Sequence, residues 1–220
     1  VLLPTLIGWA FGHALGGFIW GALFRILVEN HVIYSINSVT HTFGKQCFSL
    51  KGEARDSWVV ALISNGEGYH SFHHRFAFDY RNGYRWYQWD PTKWFIGACF
   101  YLGLAKNLKQ ASEPAILQAL VLTDRQRARE WLAALPTEKQ SYWNQKLSEA
   151  EENFESVLVR WQEARERFRE YKKMRKQQAI HYSRTEYAAL KKKLSDSTRE
   201  LHMEQGKWSA LLATLAIFIR

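Results

Sequence analysis

The sequence predicts a mainly α-helical protein: an α-helical membrane protein fragment, made of the end of one membrane helix, one full membrane helix and cytoplasmic histidine-bearing helices, followed by a C-terminal helical hairpin or coiled coil. Three observations lead to this reading. The first 44 residues hold only Arg25 and Glu29 as charged side chains. His70, His73 and His74 stand in an i, i+3, i+4 pattern, which puts three imidazoles on one face of a helix. From Thr137 onward, apolar residues recur every seven positions inside a densely charged stretch.

The opening "VLLPTLIGWAFGHALGGFIWGALFRILV" is apolar except for glycines, one proline, His13 and Arg25. It has neither the basic n-region nor the small-residue cleavage site of a signal peptide. Residues 1 to 10 read as the tail of one membrane helix, 11 to 16 as a turn, and 17 to about 43 as a second, long helix. A span needs roughly 20 mostly apolar residues, which the second segment meets and the first does not. A buried helix pair of a soluble protein is the competing reading. The start inside an apolar run, without an initiator methionine, is expected of a chain that continues upstream.

The second helix turns polar toward its end, at His31, Asn37 and His41. Polar groups on such a segment are costly unless they line a protein interior or coordinate something. Asn37 and His41 are one turn apart and share a face; His31, ten residues before His41, lies about 280° around the helix and stays outside the site. Lys45, Lys51 and Arg55 follow the helix and mark a cytoplasmic end. Residues 58 to 63 read as a short apolar helix feeding Gly66 and Gly68.

In "GEGYHSFHHRF", residues 66 to 76, neutral imidazoles at helical spacing suit iron, zinc or copper, and a solvated histidine patch is the alternative. Cys47 and Cys99 lack CxxC spacing and read as small buried residues, giving neither a zinc knuckle nor a disulfide framework. Net charge is +9, but no fold signal accompanies the basic residues, which excludes nucleic acid as a partner.

"SINSVTHTFG" followed by "GEGYHSFHHRFAFDYRNGYRWYQWDPTKW" resembles the C-terminal half of the membrane acyl-CoA desaturases of the stearoyl-CoA (delta-9) type, over about residues 1 to 108. NSxxH, GEGxHxxHH and DYRNG occur in that order, which is far more specific than HxxHH alone. The resemblance implies a nine-histidine di-iron centre (Fe2+), fed by dioxygen and an electron-donor protein, that removes two hydrogens from a long-chain fatty acyl-CoA. His41, His70, His73 and His74 match four metal ligands, and Asn37 matches the residue that reaches the metal through water. Ser71 stands where asparagine is usual, Phe72 where tyrosine is common and Ala77 where proline is normal. The two earlier histidine boxes, which would supply five more ligands, have no counterpart among His13, His31, His181 and His202, so the chain is expected to be a truncated and, alone, inactive part of the enzyme. A non-catalytic remnant or interaction fragment, and a related histidine-box hydroxylase or acyl-lipid desaturase, are the rival readings.

Glu67, Asp79, Tyr80 and Arg81 are the nearest groups to hold the imidazole tautomers, with a surface salt-bridge network as the alternative. Residues 109 to 136 read as a linker with short helices, and 137 to 220 as a charged hairpin. Leu147, Phe154, Trp161 and Phe168 form one heptad series, with Ala150, Val157, Ala164 and Tyr171 beside it; Tyr187, Leu194, Leu201, Trp208 and Leu215 form another. Lys172, Lys173, Arg175 and Lys176 form a basic cluster that reads as a solvated face, with anionic lipid or an acidic redox partner as the alternative. The expected location is an integral membrane one, with the active site on the cytoplasmic face and membrane lipid around the helices.

Overall fold

The computed structural model describes residues 1–133, 135–178 and 184–219, in two compact units, Val1–Ala111 and Ser112–Arg220. Among the described residues the structure is mainly helical, and β-type pairing is limited to two isolated bridges, Lys45 with Asp56 and Asp56 with Tyr69.

The first unit opens with α1 (Leu2–Ala10). After a turn at 11–13, α2 (Ala14–Gly16), a π-wound segment (Gly17–Phe24) and α3 (Arg25–Thr42) follow without interruption. Glycine is required where α1 crosses this long helix: a Cβ on Gly17 would sit 2.5 Å from Pro4 O and 3.0 Å from Gly8 Cα. Small residues that bring backbones this close are how helices pack where water does not drive association. Little else is covered here, since between Val1 and Ser35 only Ala22 is buried.

The full membrane helix expected over residues 17 to about 43 is not found: no described helix is long and apolar enough to cross a membrane. The apolar run is cut by Arg25 and Glu29, paired at 2.6 Å one turn apart, and the rest of α3 is polar. Its hydroxyls are satisfied internally. Ser35, Ser38 and Thr42 donate to the carbonyls of His31, Tyr34 and Ser38 at 2.7, 2.7 and 2.9 Å, and Thr40, fully buried, donates to Ile36. α4 (Trp58–Ile63), α5 (His70–Arg75) and α6 (Pro91–Tyr101) complete the unit.

In the second unit, the stretch expected to be a linker with short helices is a 20-residue helix, α7 (Glu113–Leu132). Its Leu117, Val121, Ala128 and Leu132 enter the same core as α8 (Thr137–Gln178) and α9 (Arg184–Ile219). The heptad series behaves as expected at its centre: Phe154 and Trp208 are 1% exposed, and Leu201 and Leu215 are fully buried. Contacts between α8 and α9 run in opposite order along the two helices. Trp143 meets Phe218, Trp161 Nε1 donates to Thr198 Oγ1 at 3.0 Å, and Phe168 meets Tyr187. The pair is therefore antiparallel. α7 adds an Arg125–Glu151 ion pair to α8, and Glu113 lies 3.1 Å from His202 on α9. The expected turn between α8 and α9, with His181, lies outside the described residues, as do the side chains of Arg175 and Lys176.

Leu201→Ala removes a fully buried side chain from the second unit and is expected to cost about 2–5 kcal/mol. Met203→Ala, at a site 53% exposed, should stay within about 0.5 kcal/mol of the parent. Urea unfolding followed by circular dichroism measures both; equal midpoints for the two variants would contradict this core.

Candidate metal centre

α3 carries Asn37 and His41 on its last turns and stops where Phe43 turns extended (φ −119°, ψ 137°). The chain then runs out and returns: Lys45 N donates to Asp56 O at 3.0 Å, and Asp56 N donates to Lys45 O at 2.9 Å. Ser57 caps α4, its Oγ accepting from Val60 N at 3.4 Å. The approach to α5 passes Gly68, where an added Cβ would lie 2.1 Å from Ala61 N, so no side chain fits.

α5 is oriented by what its inner face touches. Asp56 Oδ1 accepts from Ser71 N at 2.8 Å and Phe72 N at 3.4 Å. Ser71 Oγ accepts from Phe48 N at 3.1 Å. The Phe72 ring, 1% exposed, lies 5.3–5.5 Å from the rings of Phe48, Phe76 and Tyr84. Ser71 and Phe72, two of the three positions where the motif departs from the pattern it resembles, thus have local partners.

With that face held, His70 and His74 meet His41. Their ligand nitrogens lie within 4.8 Å of one another; His70 Nε2 is 3.1 Å from His41 Nε2 and 3.0 Å from His74 Nε2. His70 is buried, His41 half-buried and His74 exposed. His73 is not part of the trio: its ring stacks on His70 at 6.2 Å. It lines a cavity of about 220 Å³ with Asn37, Glu67 and His70, whereas His41 and His74 line another of about 370 Å³ with Glu53 and Ser71. His70 sits between the two.

Burial pushes the His70 imidazole down to about 4, helped by the neighbouring rings of His74, His41 and His73. Burial also lowers His74, with His41 and His73 adding to it. Both rings are therefore neutral at pH 7, the state that offers a lone pair to a metal. The donor set fits a transition metal such as iron: two nitrogens about 2.1 Å from one ion and at right angles to each other are about 3.0 Å apart, close to the two separations seen. Burial lifts the Asp56 carboxyl to about 6, against the pull of its amide donors.

The four residues expected around the ligands are placed differently from one another. Arg81 Nε and Nη2 donate to Asp79 at 2.9 and 2.7 Å, and Asp79 Oδ2 also accepts from Ala111 N at 2.9 Å. Tyr80 N donates to Lys109 O at 3.1 Å. Glu67 is exposed on the wall of the His73 cavity. None of the four side chains has a hydrogen bond to an imidazole. The carboxylate nearest a ligand ring is Glu53, 3.8 Å from His41 Nδ1 and 86% exposed. His31 Nδ1 is engaged with Leu27 O at 2.8 Å. Sequence reasoning missed Glu53 and Asp56, because neither stands at a recognisable spacing from the histidines. It also missed Asp90, for which the Asp-Pro pair was a usable signal. Asp90 is fully buried, caps α6 at Lys93 N (2.9 Å) and accepts from Asn82 N and Gly83 N at 2.8 and 2.9 Å.

No family model matches the chain. Among curated proteins, it is 42% identical over 127 residues to acyl-CoA desaturase 1 of Saccharomyces cerevisiae, a match covering 57% of this chain and 25% of that protein. It is 36% identical over 135 residues to a probable acyl-CoA desaturase of Schizosaccharomyces pombe, covering 61% and 28% respectively. It is 35% identical over 113 residues to the sn-1 stearoyl-lipid 9-desaturase of Anabaena variabilis, covering 51% and 39%. The chain thus spans between a quarter and two fifths of these relatives. The chain is similar to acyl-CoA desaturases, the proteins that its NSxxH and GEGxHxxHH elements resemble.

Because the folded-state value of His70 lies below its ordinary 6.5, the stability it contributes is full above about pH 6.5 and is lost as pH falls toward about 4. Asp56 acts oppositely, its contribution fading as pH rises from 3.8 to about 6. An NMR titration of the metal-free chain should place the His70 midpoint near 4, and His70→Gln should flatten the acid-side loss of stability. A His70 midpoint at or above 6.5 would contradict the neutral cluster.

Proposed function

We propose that residues 1–111 supply part of a histidine-ligated di-iron centre that introduces a double bond into a long-chain fatty acyl group carried as its CoA thioester. The convergence of His41, His70 and His74 carries this reading. These three imidazoles would hold one iron ion; His73, facing the other cavity, would hold a second, and Asn37 on that cavity wall would reach a metal through water. The other five histidines of the family pattern have no counterpart in these 220 residues.

When bound, the irons supply the oxidising power for removing hydrogen from an unactivated chain with dioxygen. In the balanced reaction two hydrogens leave adjacent carbons, a double bond forms, and dioxygen goes to two waters with two electrons from an electron-donor protein and two protons from solvent. The chain's own residues bind, orient and exclude water. A cavity of about 540 Å³ lined by Trp20, Phe24, Val28, Val32 and Ile63 shares Ile33, Ile36 and Glu67 with the His73 cavity. Its apolar side chains suit an acyl chain, while Arg25, Glu29, Ser64 and Asn65 make the rest of its lining polar. The neutral imidazoles keep their lone pairs aimed at the metal, and the polar end of α3 brings Asn37 and His41 beside it.

The exposed apolar side chains of α1, among them Leu2, Leu3, Leu6 and Trp9, suit membrane lipid, and Lys45, Lys51 and Arg55 support a cytoplasmic face for the centre. An acyl-lipid carrier is the second reading, favoured by the likeness to the Anabaena stearoyl-lipid desaturase.

In an enzyme carrying these residues, His73→Ala should abolish unsaturated product and lower iron content; unaltered turnover sinks the assignment. Asn37→Leu should leave most of the iron bound and slow turnover by roughly 10- to 100-fold, because it spares every direct ligand. Iron loss as complete as in His41→Ala would show that Asn37 is itself a direct ligand.

A further inference from the structure

His41 and His70 are 29 positions apart and sit on different helices, yet their Nε2 atoms are 3.1 Å apart. Something must set that separation. The helix ends alone do not: α3 gives way to an extended residue, and the N-cap residue of α5, Tyr69, makes no side-chain capping bond.

We propose that Asp56 is the positioning residue of the metal centre, joining the end of the His41 helix to the first turn of the His70 helix. Its backbone belongs to the α3 side. Arg55 N donates to Thr40 O at 2.8 Å, next to His41, and Asp56 exchanges both backbone bonds with Lys45. Its side chain belongs to the α5 side, accepting from Ser71 N and Phe72 N. The adjoining residues reinforce the join: Asp56 bridges to Tyr69, and Ser57 N donates to Gly68 O at 2.8 Å. One residue therefore belongs to both ligand-bearing parts.

The contact is hard to replace. Ser71 and Phe72 are 3% and 1% exposed, so their amides have no water to turn to once the acceptor is removed. Restoring a partner would require α5 to shift or turn, and His70, His73 and His74 move with it. Because Oδ1 acts as an acceptor, asparagine can reproduce both bonds, alanine neither, and glutamate only with its acceptor displaced by one methylene.

This inference rests on reading His41, His70 and His74 as metal ligands, and its test separates the two claims. Cobalt(II) is titrated into the 220-residue chain and followed by its visible absorption, and nuclear Overhauser contacts between the His41 and His70 rings are recorded without metal. Relative to the parent, Asp56→Ala is expected to lose roughly 10- to 100-fold in cobalt affinity and to lose the ring contact. Asp56→Asn should keep both, and Asp56→Glu should fall between them. Retained contacts among Phe48, Phe72 and Tyr84 show that the unit is still folded. If His70→Ala binds cobalt as well as the parent, the ligand reading fails, and the ring contact still decides the role of Asp56. An unchanged ring contact in Asp56→Ala, or its loss in a folded Asp56→Asn, overturns the proposal. Should Asp56→Ala not fold, Asp56→Glu decides: parent-like affinity and contact overturn it.

Discussion

Three imidazole nitrogens held about 3 Å from their neighbours cannot all carry a proton and a charge at once. The first unit is organised around that constraint. Protonating one ring would place a positive charge in a half-buried site beside two other basic groups, and the low pKa of His70 expresses the cost. Neutrality also makes the cluster useful, because a ring whose lone pair is free at pH 7 needs no proton removed before a metal binds.

Holding the rings there falls to groups that never touch them. Phe72 locks the inner face of α5 among Phe48, Phe76 and Tyr84, and Ser71 bonds Phe48 N. The absence of a side chain at Gly68 lets the chain pass Ala61 before α5 begins. Farther along, Asp79 with Arg81, and Asp90 with the amides of Asn82, Gly83 and Lys93, organise the segment between α5 and α6. These buried carboxylates stay inside because each accepts two or more hydrogen bonds, which offsets the loss of water. The backbone that frames the site is therefore irregular but well satisfied.

The second unit is built on the opposite principle. Its core is an apolar cluster that includes Phe154, Trp161, Leu201, Trp208 and Leu215. The first unit leaves much apolar surface exposed along α1 and the π-wound segment, which suits an environment other than water.

The sequence by itself determined the helical class, the heptad seam and the histidine motif, because each is a short-range periodicity that a helix converts directly into a face. It also pointed to the desaturase relatives through NSxxH and GEGxHxxHH. It overstated the membrane helix, since an apolar run was extended through Arg25, Glu29 and the polar residues after them. It understated α7, whose apolar residues find their purpose only against α8 and α9. The tertiary structure alone decided that His41, His70 and His74 form one group while His73 faces another cavity. It alone showed that Asp79 and Arg81 bond to each other and to backbone, and that Asp56 carries the junction. Those outcomes depend on how residues 43–57 fold back between two helices. Long-range backbone pairing of that kind leaves no period in the sequence, because its partners are chosen by the path of the chain rather than by the identity of the side chains.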